Sequence, residues 1–189
     1  MDFPQGYSSS AHINVYTDRQ TYRRLNLISG LLGLMGVLLG WAWKSFAPLL
    51  AVIDGGMRRF VLFFLATVVG ILVYRTLHGL LRAGLLYLLS GMPPFFRRTR
   101  GFFCVGSEAF LRRWQYLAVT LLPNVILGAA LIVACCFIPD EWFWAVYGSV
   151  ILNFAGPVGD YYTIGQVLRM PRSVLVRVSG VSLFAYTEE

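Results

Sequence analysis

The sequence predicts an all-α membrane protein of about four transmembrane helices with a small C-terminal β-hairpin, and three observations predict it. Hydrophobic residues make up 57% of the 189 residues. Charged residues make up 13%, roughly half the share of a soluble globular domain. The uncharged stretches are also long enough to matter, since a helix crossing about 30 Å of hydrocarbon needs roughly 20 residues with little or no charge. The chain is about the size of one ordinary domain, so 1–189 reads as a single integral membrane domain.

The elements follow in chain order. Residues 1–20 form a polar segment with a serine run, Ser8 to Ser10, and are expected to be disordered or to form a short strand around Ile13 to Tyr16. Nineteen uncharged residues between Arg24 and Lys44 place the first membrane helix at 25–43. Its apolar part exceeds that of a cleaved signal peptide, so it reads as an anchor. Gly30, Gly33, Gly36 and Gly40 give this helix a smooth stripe, suited to internal packing more than to dimerisation. The second helix, 60–89, begins with fifteen uncharged residues between Arg59 and Arg75 and continues through Arg75 and Arg82, either as one long helix or with an intramembrane break. Gly91, Met92, Pro93 and Pro94 end it. The mixed segment from Phe95 to Glu108 suits a short hairpin at the membrane surface.

The third helix, 114–138, contains Pro123 and Asn124, where a kink is expected. The fourth, 142–159, ends in Asn153-Phe-Ala-Gly-Pro-Val-Gly-Asp160 and runs on through a polar helix to Met170. Beyond Pro171, two apolar runs flank Ser179-Gly180, predicting a cytoplasmic hairpin over 172–187. No internal repeat supports an inverted-repeat transporter.

The net charge of +7 is informative through its placement. Arg19, Arg23 and Arg24 precede the first span, five arginines from Arg97 to Arg113 follow the second, and Arg169, Arg172 and Arg177 follow the fourth. The connection between spans three and four carries Asp140 and Glu141 and no cation. The positive-inside rule then puts both termini and the central loop in the cytoplasm of a bacterial inner-membrane protein. Lys44, Arg58 and Arg59 oppose that assignment. The arginine run sits at a membrane boundary and reads as topogenic, so the lipid bilayer, other membrane proteins and no nucleic acid are the expected partners. Cys104, Cys135 and Cys136 have no zinc-ribbon or redox spacing.

Ionisable residues at membrane depth are costly and mark function or pair with one another. Arg75, His78 and Arg82 stand at i, i+3 and i+7, which projects them from one helix face. Asp160 is the acid expected at similar depth.

Gly156-Pro-Val-Gly-Asp160-Tyr-Tyr, then Leu168-Arg-Met-Pro171 and a strand-rich tail, resemble a family of bacterial membrane proteins known as zincin peptidases, which look like small relatives of site-2 proteases. The helix Thr76-Leu-His78-Gly-Leu-Leu-Arg82-Ala sits where such proteins carry H-E-x-x-H. There two histidines hold zinc, the glutamate activates the metal-bound water, and a carboxylate from a later helix is the third ligand. Carried over by position, the resemblance makes His78 the first histidine and Asp160 the distal carboxylate, the vestigial metal candidates. Gly79 stands at the glutamate and Arg82 at the second histidine. Glycine cannot take a proton, and guanidinium cannot ligate a metal.

The resulting expectation is a catalytically inactive, zincin-like multi-pass membrane protein, a pseudoenzyme that binds or scaffolds other membrane proteins and needs no cofactor. In it Arg82 replaces the metal's charge through a buried ion pair with Asp160. The bland reading of the same residues has Arg82 reaching to the interface and His78 hydrogen-bonded inside the bundle. Two functional alternatives stay open. One is an active metallopeptidase with zinc on unorthodox ligands, His78, Asp160 and His12 or Asn153. The other is a small transporter or the accessory subunit of a membrane complex, with Arg75 and Arg82 attracting an anion.

Overall fold

The computed structural model describes residues 6–15, 17–99, 102–179 and 182–188. Strand β1 (Tyr7–Asn14) leads into helix α1 (Arg19–Trp43). Asp18 caps α1, accepting hydrogen bonds from Gln20 N at 3.0 Å and Thr21 N at 3.2 Å, and a short one from the Thr21 hydroxyl. These donors satisfy amides that have no partner inside the helix. They hold the Asp18 carboxyl below its ordinary range, the Thr21 hydroxyl most of all.

A short helix α2 (Ala47–Asp54) follows. It was not expected from the sequence, yet Pro48 marks it, because proline's missing N–H costs nothing in a first turn. Helix α3 (Met57–Ser90) is continuous over 34 residues, about 51 Å at the α-helical rise. Of the two forms the sequence allows, the structure has the unbroken one. The helix ends at Gly91, whose φ of 68° only glycine adopts readily and whose N–H returns to Tyr87 O.

Strands β2 (Phe95–Thr99) and β3 (Phe102–Gly106) pair as an antiparallel hairpin, and β4 (Leu111–Arg112) leads into α4 (Arg113–Phe137). A 3₁₀ turn (Asp140–Trp142) precedes α5 (Phe143–Ala155), α6 (Val158–Leu168), β5 (Leu175–Ser179) and β6 (Ser182–Glu188).

Three helices, α1, α3 and α4, are long and apolar enough to cross a membrane. None of the most apolar stretch of α3 is buried, the inverse of a soluble protein's helix and the arrangement expected where lipid covers the outside. The stretch predicted as a fourth membrane helix, 142–159, is not one helix. It breaks after Ala155 into α5 and α6 at Gly156-Pro157, because proline has no N–H for the carbonyl four residues back.

The fold is also less purely helical than expected. The C-terminal strand pair is present, but it forms the centre of a four-stranded antiparallel sheet in the order β1-β6-β5-β4. An isolated hairpin is marginal in water, and β1 covers one edge with Tyr7 opposite Glu188 and Asn14 opposite Ser182. The N-terminal strand is therefore longer and earlier than the one expected around Ile13, and Tyr16 lies outside the described residues. The expected turn residue Gly180 does too.

The chain divides into two compact units. The sheet unit comprises Met1–Leu25, Gly79–Pro123 and Gly159–Glu189. Its core joins Ala83 and Leu86 of α3, Tyr116 and Val119 of α4, and Ile164 and Val167 of α6 to Val176, Val178, Leu183 and Ala185 of the sheet.

The helical unit comprises Asn26–His78 and Asn124–Val158. Within it α5 lies antiparallel along the glycine stripe of α1. Ser29 Oγ donates to Ala155 O at 2.7 Å, Gly36 faces Ile151, and the Tyr147 hydroxyl donates to Gly36 O at 3.0 Å. Trp43 packs edge-on against Phe143. The stripe is thus an internal packing surface, with Gly30 facing open space.

A Cβ on Gly40 would lie 2.3 Å from the Tyr147 ring, which its own hydroxyl bond holds in place. Gly40→Val is therefore expected to lower stability by about 1–3 kcal/mol through overpacking. Gly30→Val should leave it nearly unchanged, as measured by thermal unfolding in detergent.

Candidate functional site

Asp160 stands in the first turn of α6, where the helix dipole favours a carboxylate. Arg82, on the part of α3 that belongs to the sheet unit, meets it there, with Nη1 3.1 Å from Asp160 Oδ2. Their side chains retain 19% and 27% exposure, so the pair is part-buried.

Around the pair lies a polar chain that the sequence did not reveal. Thr163 Oγ1 donates to Asp160 O at 2.9 Å and meets the Tyr116 hydroxyl at 2.7 Å. Since the threonine proton is committed to the carbonyl, Tyr116 is the donor to Thr163. At the other end of α6, Arg113 donates to Leu168 O at 2.9 Å and Met170 O at 3.2 Å, supplying the cation that a helix C-terminus favours.

His78 belongs to a different network, in the helical unit. Its Nε2 lies 2.9 Å from Asn124 Oδ1. The amide oxygen is an acceptor, so Nε2 carries the hydrogen and has no lone pair to offer. Asn153 is completely buried and uses both ends of its amide. Its Oδ1 accepts from the Tyr74 hydroxyl and its Nδ2 donates to Asn124 O, both at 2.9 Å. The closure runs from α3 through α5 to α4 and back to α3.

Gly128 makes it possible, because a Cβ there would lie 2.7 Å from Asn153 Nδ2. Pro123-Asn124 was legible as an irregularity in the third span, but the role of Asn124 as a hub was not. Tyr74, one turn before His78, is the signal that could have shown it.

The remaining candidates fall elsewhere. His12, on β1, stacks on its cross-strand partner Phe184, with ring centroids 4.5 Å apart. Arg75 is exposed on α3. The side chain of Cys104 lies outside the description, Cys135 is buried and Cys136 is exposed. Cβ of a residue at Gly79 would enter open space.

These residues do not fit a zincin metal centre. His78 presents a hydrogen through Nε2, the Asp160 carboxylate already faces a guanidinium, and Arg82 cannot ligate. Among the described residues, no three His, Cys, Asp or Glu side chains converge as a ligand set. Gly79 supplies no base for a metal-activated water at the motif's position, and no hydrolytic step through a metal follows from this geometry.

Arg82→Ala leaves Asp160 without its partner and is expected to cost roughly 1–3 kcal/mol, since the pair is only part-buried. The Arg82→Ala/Asp160→Ala double variant should cost clearly less than the sum of the two single losses. A double-mutant cycle of unfolding free energies measures this coupling.

No curated protein and no solved structure matches the chain. The model of one family, domain of unknown function 3267, matches residues 67–175, more than half of the chain. The match takes in His78, Gly79, Arg82, Asn124, Asn153 and Asp160 together. The chain belongs to the family described as "Putative zincin peptidase".

Proposed function

We propose that this protein is a catalytically inactive, zincin-like multi-pass membrane protein that binds or scaffolds other membrane proteins. The observation that carries the reading is the 3.1 Å contact between Arg82 and Asp160, which puts a fixed cation where a peptidase of this family would need a metal-bound one. Gly79, at the position of the motif's base, and the committed Nε2 of His78 support it. The H-E-x-x-H motif is degenerate on this reading, and the likeness to site-2 proteases is one of scaffold without chemistry.

We further propose four membrane crossings with both termini in the cytoplasm of a bacterial inner-membrane protein. Three crossings alone would leave the chain after α4 on the side opposite its start. Yet β6 pairs with β1, and β5 with β4, which supports a return of the chain between residues 138 and 175. Helix α5 runs antiparallel beside α1 from Ser29 to Trp43, and a helix lying along a span covers the same depth. Lys44 pairs with Asp140 and Arg59 with Glu141, as expected of residues that follow one, one and three crossings.

Elemental analysis of the purified protein tests the functional reading, with less than a tenth of an equivalent of zinc expected. Stoichiometric zinc lost in His78→Ala would establish the metallopeptidase alternative instead. The Gly79→Glu/Arg82→His variant rebuilds H-E-x-x-H where the structure leaves room at position 79, and is expected to take up zinc that the parent does not.

A further inference from the structure

We propose that a cavity at the start of α4 binds the phosphate headgroup of an anionic phospholipid. The cavity, about 540 Å³, belongs to the sheet unit. Arginines 112, 113 and 172 line it together with Trp114, Leu117 and Leu168. Arg113 spends its donors on the carbonyls at the end of α6. Arg112 and Arg172 have no ion-pair partner among the described residues, and both are exposed. The acid in the lining, Glu188, accepts a hydrogen bond from the Tyr7 hydroxyl at 2.9 Å. Among the described residues, three cations against one acid leave the cavity a net attraction for a phosphate, which suits arginine geometry.

The apolar wall selects the source of that phosphate. Trp114 and Leu168 keep 55% and 46% of their surface exposed beside the arginines. Position 113 is the first residue of a helix long and apolar enough to span a bilayer, so the cavity opens at the level of lipid headgroups. Tryptophan and arginine together at such a boundary are suited to a headgroup above and acyl chains below. A free phosphate would satisfy the guanidiniums and leave the apolar wall uncovered.

Native mass spectrometry of the full chain in nonionic detergent, titrated with phosphatidylglycerol or phosphatidylcholine, tests this. Preferential retention of phosphatidylglycerol is expected, weakened about thirty-fold in Arg112→Gln/Arg172→Gln. Arg23→Gln/Arg24→Gln removes the same charge from the start of α1 and should change retention less than threefold. Either single variant, Arg112→Gln or Arg172→Gln, should weaken it about fivefold, which keeps the proposal testable if the double variant does not fold. Equal weakening in both double variants, no difference between the two lipids, or displacement of phosphatidylglycerol by millimolar inorganic phosphate would each overturn it.

Discussion

Two opposite charges 3.1 Å apart, one on α3 and one in the first turn of α6, set what else this part of the molecule can contain. A lone carboxylate removed from water is expensive, and so is a lone guanidinium. Together they need no third charge, and a metal ion added beside the guanidinium would meet repulsion. The arginine therefore already neutralises the carboxylate that the family's motif would give to a metal. The pair is not thereby a source of stability, because the desolvation of two ions offsets much of their attraction. Its effect is on geometry. It fixes α6 against α3 at one end, while Arg113 caps the other end of α6 through two carbonyls.

The helical unit solves a different problem with uncharged groups. Lipid tails are as apolar as leucine, so burying leucines gives membrane helices little reason to choose one partner over another. Close approach and hydrogen bonds supply the choice. Gly36 and Gly40 admit Ile151 and Tyr147 to the backbone of α1, and Gly128 admits the amide of Asn153 to α4. The Tyr74, His78, Asn124 and Asn153 network joins α3, α4 and α5 at one level. His78 thereby ties α3 to α4 through Asn124.

What the sequence made legible follows from the strength of each signal. Uncharged length located α1, α3 and α4, and alternation of apolar residues after Pro171 located the C-terminal strands. The glycine spacing in α1 pointed to internal packing, which the Tyr147 and Ile151 contacts provide. The partnership of β1 with β6 was not legible, since it joins residues about 170 positions apart through a polar segment with no period of its own. The break between α5 and α6 was signalled by Gly156-Pro157 but outweighed by the low charge around it. In the site, Arg82 and Asp160 stood out because charge is rare in such a chain. Tyr116, Thr163 and Asn124 did not, because a buried hydroxyl or amide carries meaning only once its partner is known.

Two of the three cations that oppose the proposed orientation then have a physical explanation. The positive-inside rule counts lysine and arginine near the ends of spans, and Lys44, Arg58 and Arg59 fall on the wrong side of it. Lys44 and Arg59 are matched by Asp140 and Glu141 in the connection before α5. Exposed pairs of this kind contribute little stability. They do hold the ends of α1 and α3 against the loop that starts α5, and α5 needs that support, because its 13 residues extend only about 20 Å. On the proposed four-crossing reading, a helix this short is positioned in a bilayer by its neighbours more than by its own hydrophobic length. Its fixed points are the ion pairs at one end, the glycine stripe along its face, and Ser29 at the other end.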